Sequence, residues 1–158
     1  CAYCGVIRSY LPAEFFEIDH FINEKSFPDT TEGKIKAGRV ENLVWSCMPC
    51  NRGKNALYIE KPYDKLLNPD NGNIAKIFIR DSEYYIRIRE AYQQDMFIRK
   101  FYEMLHLEYE TKRLDYLLLQ IQRAIERTND DNKRKQLMEE FYFLLKKRNG
   151  VLTEENEK

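Results

Sequence analysis

The pattern of apolar and polar positions predicts strands in the first part of the chain and helices in the last. Residues 15–22 and 42–46 are rich in β-branched and aromatic side chains, which is typical of short strands. The stretch between them, residues 23–41, is rich in Gly, Lys and acidic residues and predicts an exposed loop. A helix is expected to begin near Asn51, which gives the order strand, loop, strand, helix.

A second pair of strands is predicted after a connector that contains Pro62 and Pro69. Residues 76–80 and 84–89 both alternate apolar with basic or polar side chains, and residues 81–83 can turn between them. Such alternation is typical of a hairpin with one face in water.

The apolar period becomes helical after residue 93, with Leu, Ile and Phe at spacings of i, i+3 and i+4 in successive segments. Residues 129–132 separate the last two segments, and Gly150 is expected to cap the final helix. We expect these helices to form a small bundle, and a partner-binding or dimerising surface is the alternative.

The whole chain is therefore predicted to be an α+β protein. The expected parts are a motif-dense core, a connector with a hairpin, a helical extension and a frayed tail, in residues 1–60, 61–90, 91–150 and 151–158 respectively. No apolar run approaches the length of about 18 residues that a membrane span needs, and no signal-peptide pattern is present. We expect a cytoplasmic protein with no membrane partner.

The charge balance limits how the chain can bind nucleic acid. Lys and Arg together number 26, as do Asp and Glu, so the formal net charge is zero. A protein that holds nucleic acid by its overall charge needs a basic excess, because phosphate neutralisation supplies most non-specific affinity. Any such contact must therefore come from a local patch, from another part of the protein or from a partner.

The cysteines form two Cys-x-x-Cys pairs with none left over: Cys1 with Cys4, and Cys47 with Cys50. Each pair lets two thiolates approach one ion from a tight turn, and two pairs complete a closed, tetrahedral, structural Zn²⁺ site. Disulfides are the alternative, but a Lys- and Glu-rich chain without a secretion signal favours a reducing compartment. Because the first residue is a candidate metal ligand and not Met, we expect that upstream residues are missing.

Asp19 and His20, at the end of the first predicted strand, are candidates for a second site together with Asn51. Hard divalent cations prefer oxygen ligands, and a neutral His can accept a proton from water near pH 7. Neighbours on a regular strand point to opposite faces, so Asp19 and His20 can serve one site only where the strand ends or is distorted. Glu17 shares a strand face with Asp19 and is a further candidate ligand.

The order Cys-x-x-Cys, Asp-His, Asn-Leu-Val and Cys-x-x-Cys-Asn-Arg-Gly-Lys, over residues 1–55, resembles the HNH (ββα-metal, His-Me finger) endonucleases. The resemblance implies that His20 is the general base that activates water. It implies that Asp19 and Asn51 hold one catalytic Mg²⁺ or Mn²⁺, and that Asn42 positions the loop bearing the base. Asn51 stands where the family often has His, so the chain looks like an HNN variant, which favours an oxygen-ligated ion.

The resemblance also implies a substrate: DNA, most of all double-stranded DNA, cut to leave 5′-phosphate and 3′-hydroxyl ends. RNA such as tRNA with the same site is one alternative. A non-catalytic, zinc-stabilised module that binds nucleic acid or protein is another. The later part of the chain resembles, with low specificity, extensions of HNH modules in bacterial mobile-element and defence proteins. A protein partner or a homodimer through the C-terminal helices is a further expectation.

Basic residues near the site and in the hairpin are weaker candidates for nucleic-acid contact. Arg52 and Lys54 are either phosphate contacts or solvated residues at a helix start. The hairpin is expected to present a basic, aromatic face, suited to phosphates and bases, made of Arg80, Tyr84, Tyr85, Arg87 and Arg89. A solvated sheet face is the alternative. His106 is expected to be a packed or half-exposed histidine without a catalytic role.

Overall fold

The computed structural model of the protein describes residues 1–8, 12–55 and 57–150. The described residues form a mixed α and β structure with two separate two-stranded antiparallel sheets, which confirms the predicted α+β class. They divide into two compact units: Cys1–Asp81 with Ile86–Glu108, and Ser82–Tyr85 with residues 109–150. The predicted frayed tail, residues 151–158, lies outside the described residues.

The first unit begins with strand β1, Phe16–His20, which lies within the predicted strand and is shorter than it. The exposed loop expected after it is wrong over Thr31–Ala37, which forms helix α1. The Thr30 side chain accepts a hydrogen bond from the Gly33 N–H at 3.1 Å and so caps this helix. Ala37 is buried, and its burial together with this cap outweighs the Lys- and Gly-rich composition of the segment.

Strand β2, Leu43–Cys47, pairs antiparallel with β1. Helix α2, Met48–Lys54, follows at once and begins earlier than the predicted start near Asn51. Pro49 lies in its first turn, where the missing N–H of proline costs no helical hydrogen bond. Asn51 therefore lies within the helix and not at its start, one turn from Lys54.

The rest of the first unit closes a core around this β1–β2–α2 motif. Its elements are α3 Tyr63–Leu66, α4 Ile74–Ile77, β3 Phe78–Arg80, β4 Ile86–Ile88 and α5 Met96–Met104. The core is continuous from the first cysteine pair to the end of α5, and Phe21, Leu67, Ile77, Ile98 and Phe101 are among its most deeply buried members.

The predicted hairpin exists as the antiparallel pair β3 and β4. In its register Arg80 lies opposite Ile86, and Ile79 lies opposite Arg87. Residues directly opposite each other share a face and successive residues alternate, so Arg80 and Arg87 lie on different faces. The expected single basic face is therefore wrong.

The second unit is a helical hairpin of α6, Glu110–Arg127, and α7, Asp131–Arg148. Arg148 near the end of α7 donates to Asp115 near the start of α6 at 3.0 Å, so the two helices run antiparallel. Gly150 follows α7 with φ +68°, as expected for a C-terminal cap. Because α5 belongs to the first unit, the expected bundle of successive helices is divided between the two units. None of the described helices has the length and apolarity needed to cross a membrane.

Gly53 sets how closely α2 approaches the end of α5. A Cβ at this position would overlap the main-chain carbonyl oxygen of Met104. A backbone oxygen cannot swing aside as a side chain does, so the close approach requires glycine.

We expect Gly53→Ala to destabilise the protein. Helix propensity alone favours Ala over Gly by about 1 kcal/mol, but forcing an atom into a packed contact costs about 1–3 kcal/mol. Denaturant unfolding at a fixed zinc concentration should show a net loss in the free energy of unfolding. The matched control is Gly38→Ala, where a Cβ would lie 3.5 Å from the Lys34 carbonyl oxygen, an ordinary contact. Equal stability of the two variants would contradict the packing constraint.

Candidate active site

The four cysteines converge at the junction of β2, α2 and the N-terminal turn. Their Sγ atoms all lie within 4.8 Å of one another, and those of Cys4 and Cys47 are 3.8 Å apart. A disulfide would place two sulfurs about 2.05 Å apart, and none of these four cysteines is joined to another by a disulfide. Tetrahedral zinc with Zn–S bonds of about 2.3 Å separates its sulfur ligands by about 3.8 Å. The cluster can therefore hold a metal such as zinc.

The surroundings of this cluster fit a closed site. Cys4, Cys47 and Cys50 are buried and Cys1 is half-buried. Arg80 donates to the carbonyl oxygen of Cys4 at 3.3 Å, which fixes the main chain of the first cysteine pair. A site enclosed by protein on most sides serves structure better than turnover, since a catalytic zinc keeps a position open for water or substrate.

Asp19 is buried between the first cysteine pair and α2. Its Oδ2 accepts a hydrogen bond of 2.6 Å from the Tyr3 hydroxyl, and its Oδ1 lies 3.1 Å from Nζ of Lys54. Burial raises the pKa of Asp19, while the Lys54 ammonium and the Tyr3 hydroxyl oppose that rise. Burial and the charge of Asp19 also raise the pKa of Tyr3, so its hydroxyl keeps its proton and donates a hydrogen bond to the carboxylate.

Lys54 occupies a different place from the one expected of a phosphate contact. Its side chain is 1% exposed and that of Asp19 is 6% exposed. Nζ of Lys54 also donates to the carbonyl oxygens of His20 at 2.9 Å and Phe21 at 3.2 Å. The ammonium thus faces inward and holds both the carboxylate and the main chain of the Asp-His pair. Both expectations for Lys54, a phosphate contact and a solvated residue at a helix start, are therefore wrong.

His20 is the last residue of β1. On a regular strand Asp19 and His20 would point to opposite faces, but at this strand end both line the same cleft. The His20 side chain is half-buried, and its Nε2 lies 3.4 Å from Oε1 of the exposed Glu24. A cleft of about 390 Å³ opens at this end of the strand, lined by Ile18, Asp19, His20, Asn23, Glu24, Lys25, Asn51, Arg52 and Asn55. The structure thus brings together three of the residues selected from the sequence, Asp19, His20 and Asn51, with Arg52 beside them.

The Asn51 amide is oriented by a residue on β1. Its Nδ2 donates to Oε2 of Glu17 at 2.7 Å, which leaves Oδ1 as the amide's acceptor. An amide oxygen is the atom of Asn that binds hard cations. Glu17, which the sequence suggested as an additional ligand, is thus the partner of a candidate ligand.

Asn42 lies outside the cleft and holds the chain that follows His20. Its Oδ1 accepts from the Ile22 N–H at 2.8 Å, and its Nδ2 donates to the carbonyl oxygens of Ile22 at 3.0 Å and Ala37 at 2.8 Å. This buried side chain therefore joins the segment after β1 to the end of α1.

The remaining candidates lie away from the cleft. Arg87 is paired with Asp81 at 2.7 Å, and Arg89 is exposed. Tyr84 contacts Tyr116, and Tyr85 lies under the Arg113 guanidinium, all within the second unit. His106 follows α5 in a left-handed conformation with φ +51° and does not line the cleft.

Sequence reasoning missed the roles of Tyr3, Glu24 and the buried end of Lys54. For Lys54 a signal existed, because residues three apart on a helix share a face and Asn51 was already a candidate. For Tyr3 the sequence offered no indication, since the Cys-x-x-Cys pattern allows any residue type at its two inner positions.

Comparison of the chain with protein-family models, curated proteins and solved structures gives no match. The functional assignment therefore depends on the residues and geometry of the chain itself.

We expect Cys47→Ala to lose most of the bound zinc and to lower the melting temperature, because the metal's binding energy contributes to folding. Elemental analysis and the absorption spectrum of the cobalt-substituted protein measure the bound metal, and thermal unfolding measures the melting temperature. Met48→Leu, between the two thiols of the same pair, should keep the wild-type zinc content. A stably folded, zinc-free Cys47→Ala protein would refute a structural metal at the cluster.

A second expectation concerns the buried ion pair. Lys54→Met leaves the Asp19 carboxylate without its counter-ion, and removing one partner of a buried pair costs about 3–5 kcal/mol. The double variant Lys54→Met with Asp19→Asn should lose less stability than the two single losses added together. Lys36→Met, which removes an exposed pair with Glu32, should have a much smaller effect. Strictly additive losses at Lys54 and Asp19 would contradict the coupling.

Proposed function

We propose that this chain is a metal-dependent endonuclease of the HNH type that hydrolyses phosphodiester bonds, with DNA as its substrate. The observation that supports it most is the convergence of Asp19, His20 and Asn51 on one cleft, formed where β1 ends beside α2. The sheet of β1 and β2 followed by α2 has the element order of the ββα-metal motif. The four-cysteine cluster would hold structural zinc at the base of this motif.

The donors in the cleft suit a hard divalent cation. Asp19 offers carboxylate oxygens, and Asn51 offers Oδ1 because Glu17 engages its Nδ2. This all-oxygen set favours Mg²⁺ or Mn²⁺ over a soft metal. When bound there, such an ion would stabilise the negative charge that develops on the phosphate and on the leaving 3′ oxygen.

His20 is the general base of the proposed reaction. Its half-buried imidazole reaches the cleft and accepts a proton from the attacking water. The Glu24 carboxylate beside Nε2 favours a proton on that nitrogen and leaves Nδ1 as the base.

Two further residues support the reaction without taking part in proton transfer. Asn42 fixes the segment after His20 through its bonds to Ile22 and so limits the positions that the imidazole can adopt. Arg52 lines the cleft and is exposed, which suits a contact with the substrate phosphate.

The balanced charge favours one alternative, a zinc-stabilised binding module without turnover. A neutral chain lacks the general attraction to a polyanion. RNA, including tRNA, is the alternative substrate for the same site, because a phosphodiester and a water molecule meet the same groups in both polymers.

We expect the purified protein to cleave plasmid DNA in the presence of Mg²⁺ or Mn²⁺, and His20→Ala to reduce the rate by about 10²–10⁴-fold. Single-stranded DNA and tRNA, assayed in parallel, identify the substrate class. The chain has only one other histidine, His106, so His106→Asn is the matched control and should retain the wild-type rate. Asn tolerates the left-handed backbone at this position.

Two outcomes would contradict the proposal in different ways. Cleavage at the wild-type rate by a folded His20→Ala protein would exclude His20 as the base. Failure of the zinc-loaded wild type to cleave any of the three substrates with either metal would favour the binding module.

A further inference from the structure

Tyr3 lies in the sequence between Cys1 and Cys4, two candidate zinc ligands, and its side chain contacts the proposed catalytic site. It is one of the two residues inside the first Cys-x-x-Cys pair, and its side chain is 7% exposed. Its ring packs edge-on against Phe101, with centroids 6.0 Å apart. From there its hydroxyl donates the 2.6 Å hydrogen bond to Oδ2 of Asp19.

The two oxygens of Asp19 are thus held from opposite parts of the fold. Tyr3 holds Oδ2 from the N-terminal turn, and Lys54 holds Oδ1 from α2. With the Tyr3 bond removed, Lys54 would be the remaining strong partner and would draw the carboxylate toward α2. Each oxygen keeps a second lone pair, so a cation can still bind a carboxylate that is held in this way.

We propose that Tyr3 is a positioning residue that orients Asp19 for the divalent cation of the cleft, and that it makes this cation site dependent on the folded first cysteine pair. The inference rests on the proposed function, since it takes Asp19 as a ligand of that cation. The cysteines fix the main-chain path of the turn, and the turn fixes the position of the Tyr3 phenol. The phenol in turn fixes the orientation of the Asp19 carboxylate through its hydrogen bond.

The expected change in cation affinity on loss of the Tyr3 hydrogen bond can be taken from comparable metal sites. Hydrogen-bond partners of metal-ligating side chains typically change metal affinity by about 10–100-fold when they are removed. A hydrogen bond that only stabilised the core would change the stability of the protein and leave the affinity of the folded protein for the cation unaltered. Metal affinity therefore separates a positioning role from a purely structural one.

The test is Mn²⁺ binding to zinc-loaded protein, followed by the electron paramagnetic resonance signal of free Mn²⁺. Tyr3→Phe removes only the hydroxyl and should weaken binding about 10-fold or more, with unchanged zinc content. The matched control is Tyr63→Phe, which removes a phenol–carboxylate hydrogen bond of the same kind, 2.9 Å to Oδ2 of Asp95, elsewhere in the first unit. This control should bind Mn²⁺ as the wild type does.

Asp19→Asn separates failure of this inference from failure of the proposed function. If Asp19→Asn weakens Mn²⁺ binding and Tyr3→Phe does not, the role of Tyr3 is overturned and the proposed cation site stands. If the wild type and Asp19→Asn bind Mn²⁺ alike, both the cation site and the inference that rests on it are overturned.

A second measurement covers the case in which Tyr3→Phe does not fold. The protein carrying 3-fluorotyrosine in place of Tyr3 keeps the hydroxyl and nearly the same size. Its fluorine resonance should shift when Mg²⁺ is added to the zinc-loaded protein, and the shift should be absent in Asp19→Asn. A resonance that Mg²⁺ leaves unchanged in the otherwise wild-type protein would overturn the link between Tyr3 and the cation site.

Discussion

The site depends on one buried ion pair, between Asp19 on β1 and Lys54 on α2, whose charged atoms are 3.1 Å apart. Taking two charges out of water is costly, and the cost is offset only when every remaining donor and acceptor finds a partner. Here the Tyr3 hydroxyl donates to the second carboxylate oxygen, and the carbonyl oxygens of His20 and Phe21 accept hydrogen bonds from the ammonium. The pair therefore fixes the strand, the helix and the N-terminal turn relative to one another at the point where the cleft opens.

Two groups of possible metal ligands lie on either side of this pair, and they differ in chemistry: thiolates and oxygens. Thiolates form the buried four-cysteine cluster, which can hold a soft ion such as zinc. Carboxylate and amide oxygens line the open cleft, where a hard ion would keep part of its water shell. Lys54 neutralises part of the negative charge of Asp19. The site would therefore attract a divalent cation less strongly than a site made of two unpaired carboxylates would. Modest affinity for the cation is the physical consequence, and it would suit the proposed nuclease, which must also release its cleaved product.

Much of the fold and the site could be predicted from local pattern, and the errors have physical causes. The cysteine spacing and the alternation of β1 and β2 indicate the metal cluster and the sheet, because both are set by short-range geometry. Lys54 was misplaced because Lys is almost never fully buried unless it is paired, and pairing depends on the fold. The basic hairpin face was wrong because residues 77–79 are all apolar, so alternation alone does not decide which face Arg80 takes. The pairing register places Arg80 and Arg87 on different faces. Helix α1 was missed because one cap and one buried Ala37 outweigh an exposed-loop composition.

Anomalous diffraction from crystals of the zinc-loaded protein soaked in Mn²⁺ tests the central claim most directly, since it locates each metal independently of activity. We predict a zinc peak among the four Sγ atoms and a separate manganese peak within bonding distance of a carboxylate oxygen of Asp19 and Oδ1 of Asn51. Manganese absent from the cleft at saturating concentration, or bound there without contact to Asp19, would contradict the division into a structural thiolate site and a catalytic oxygen site.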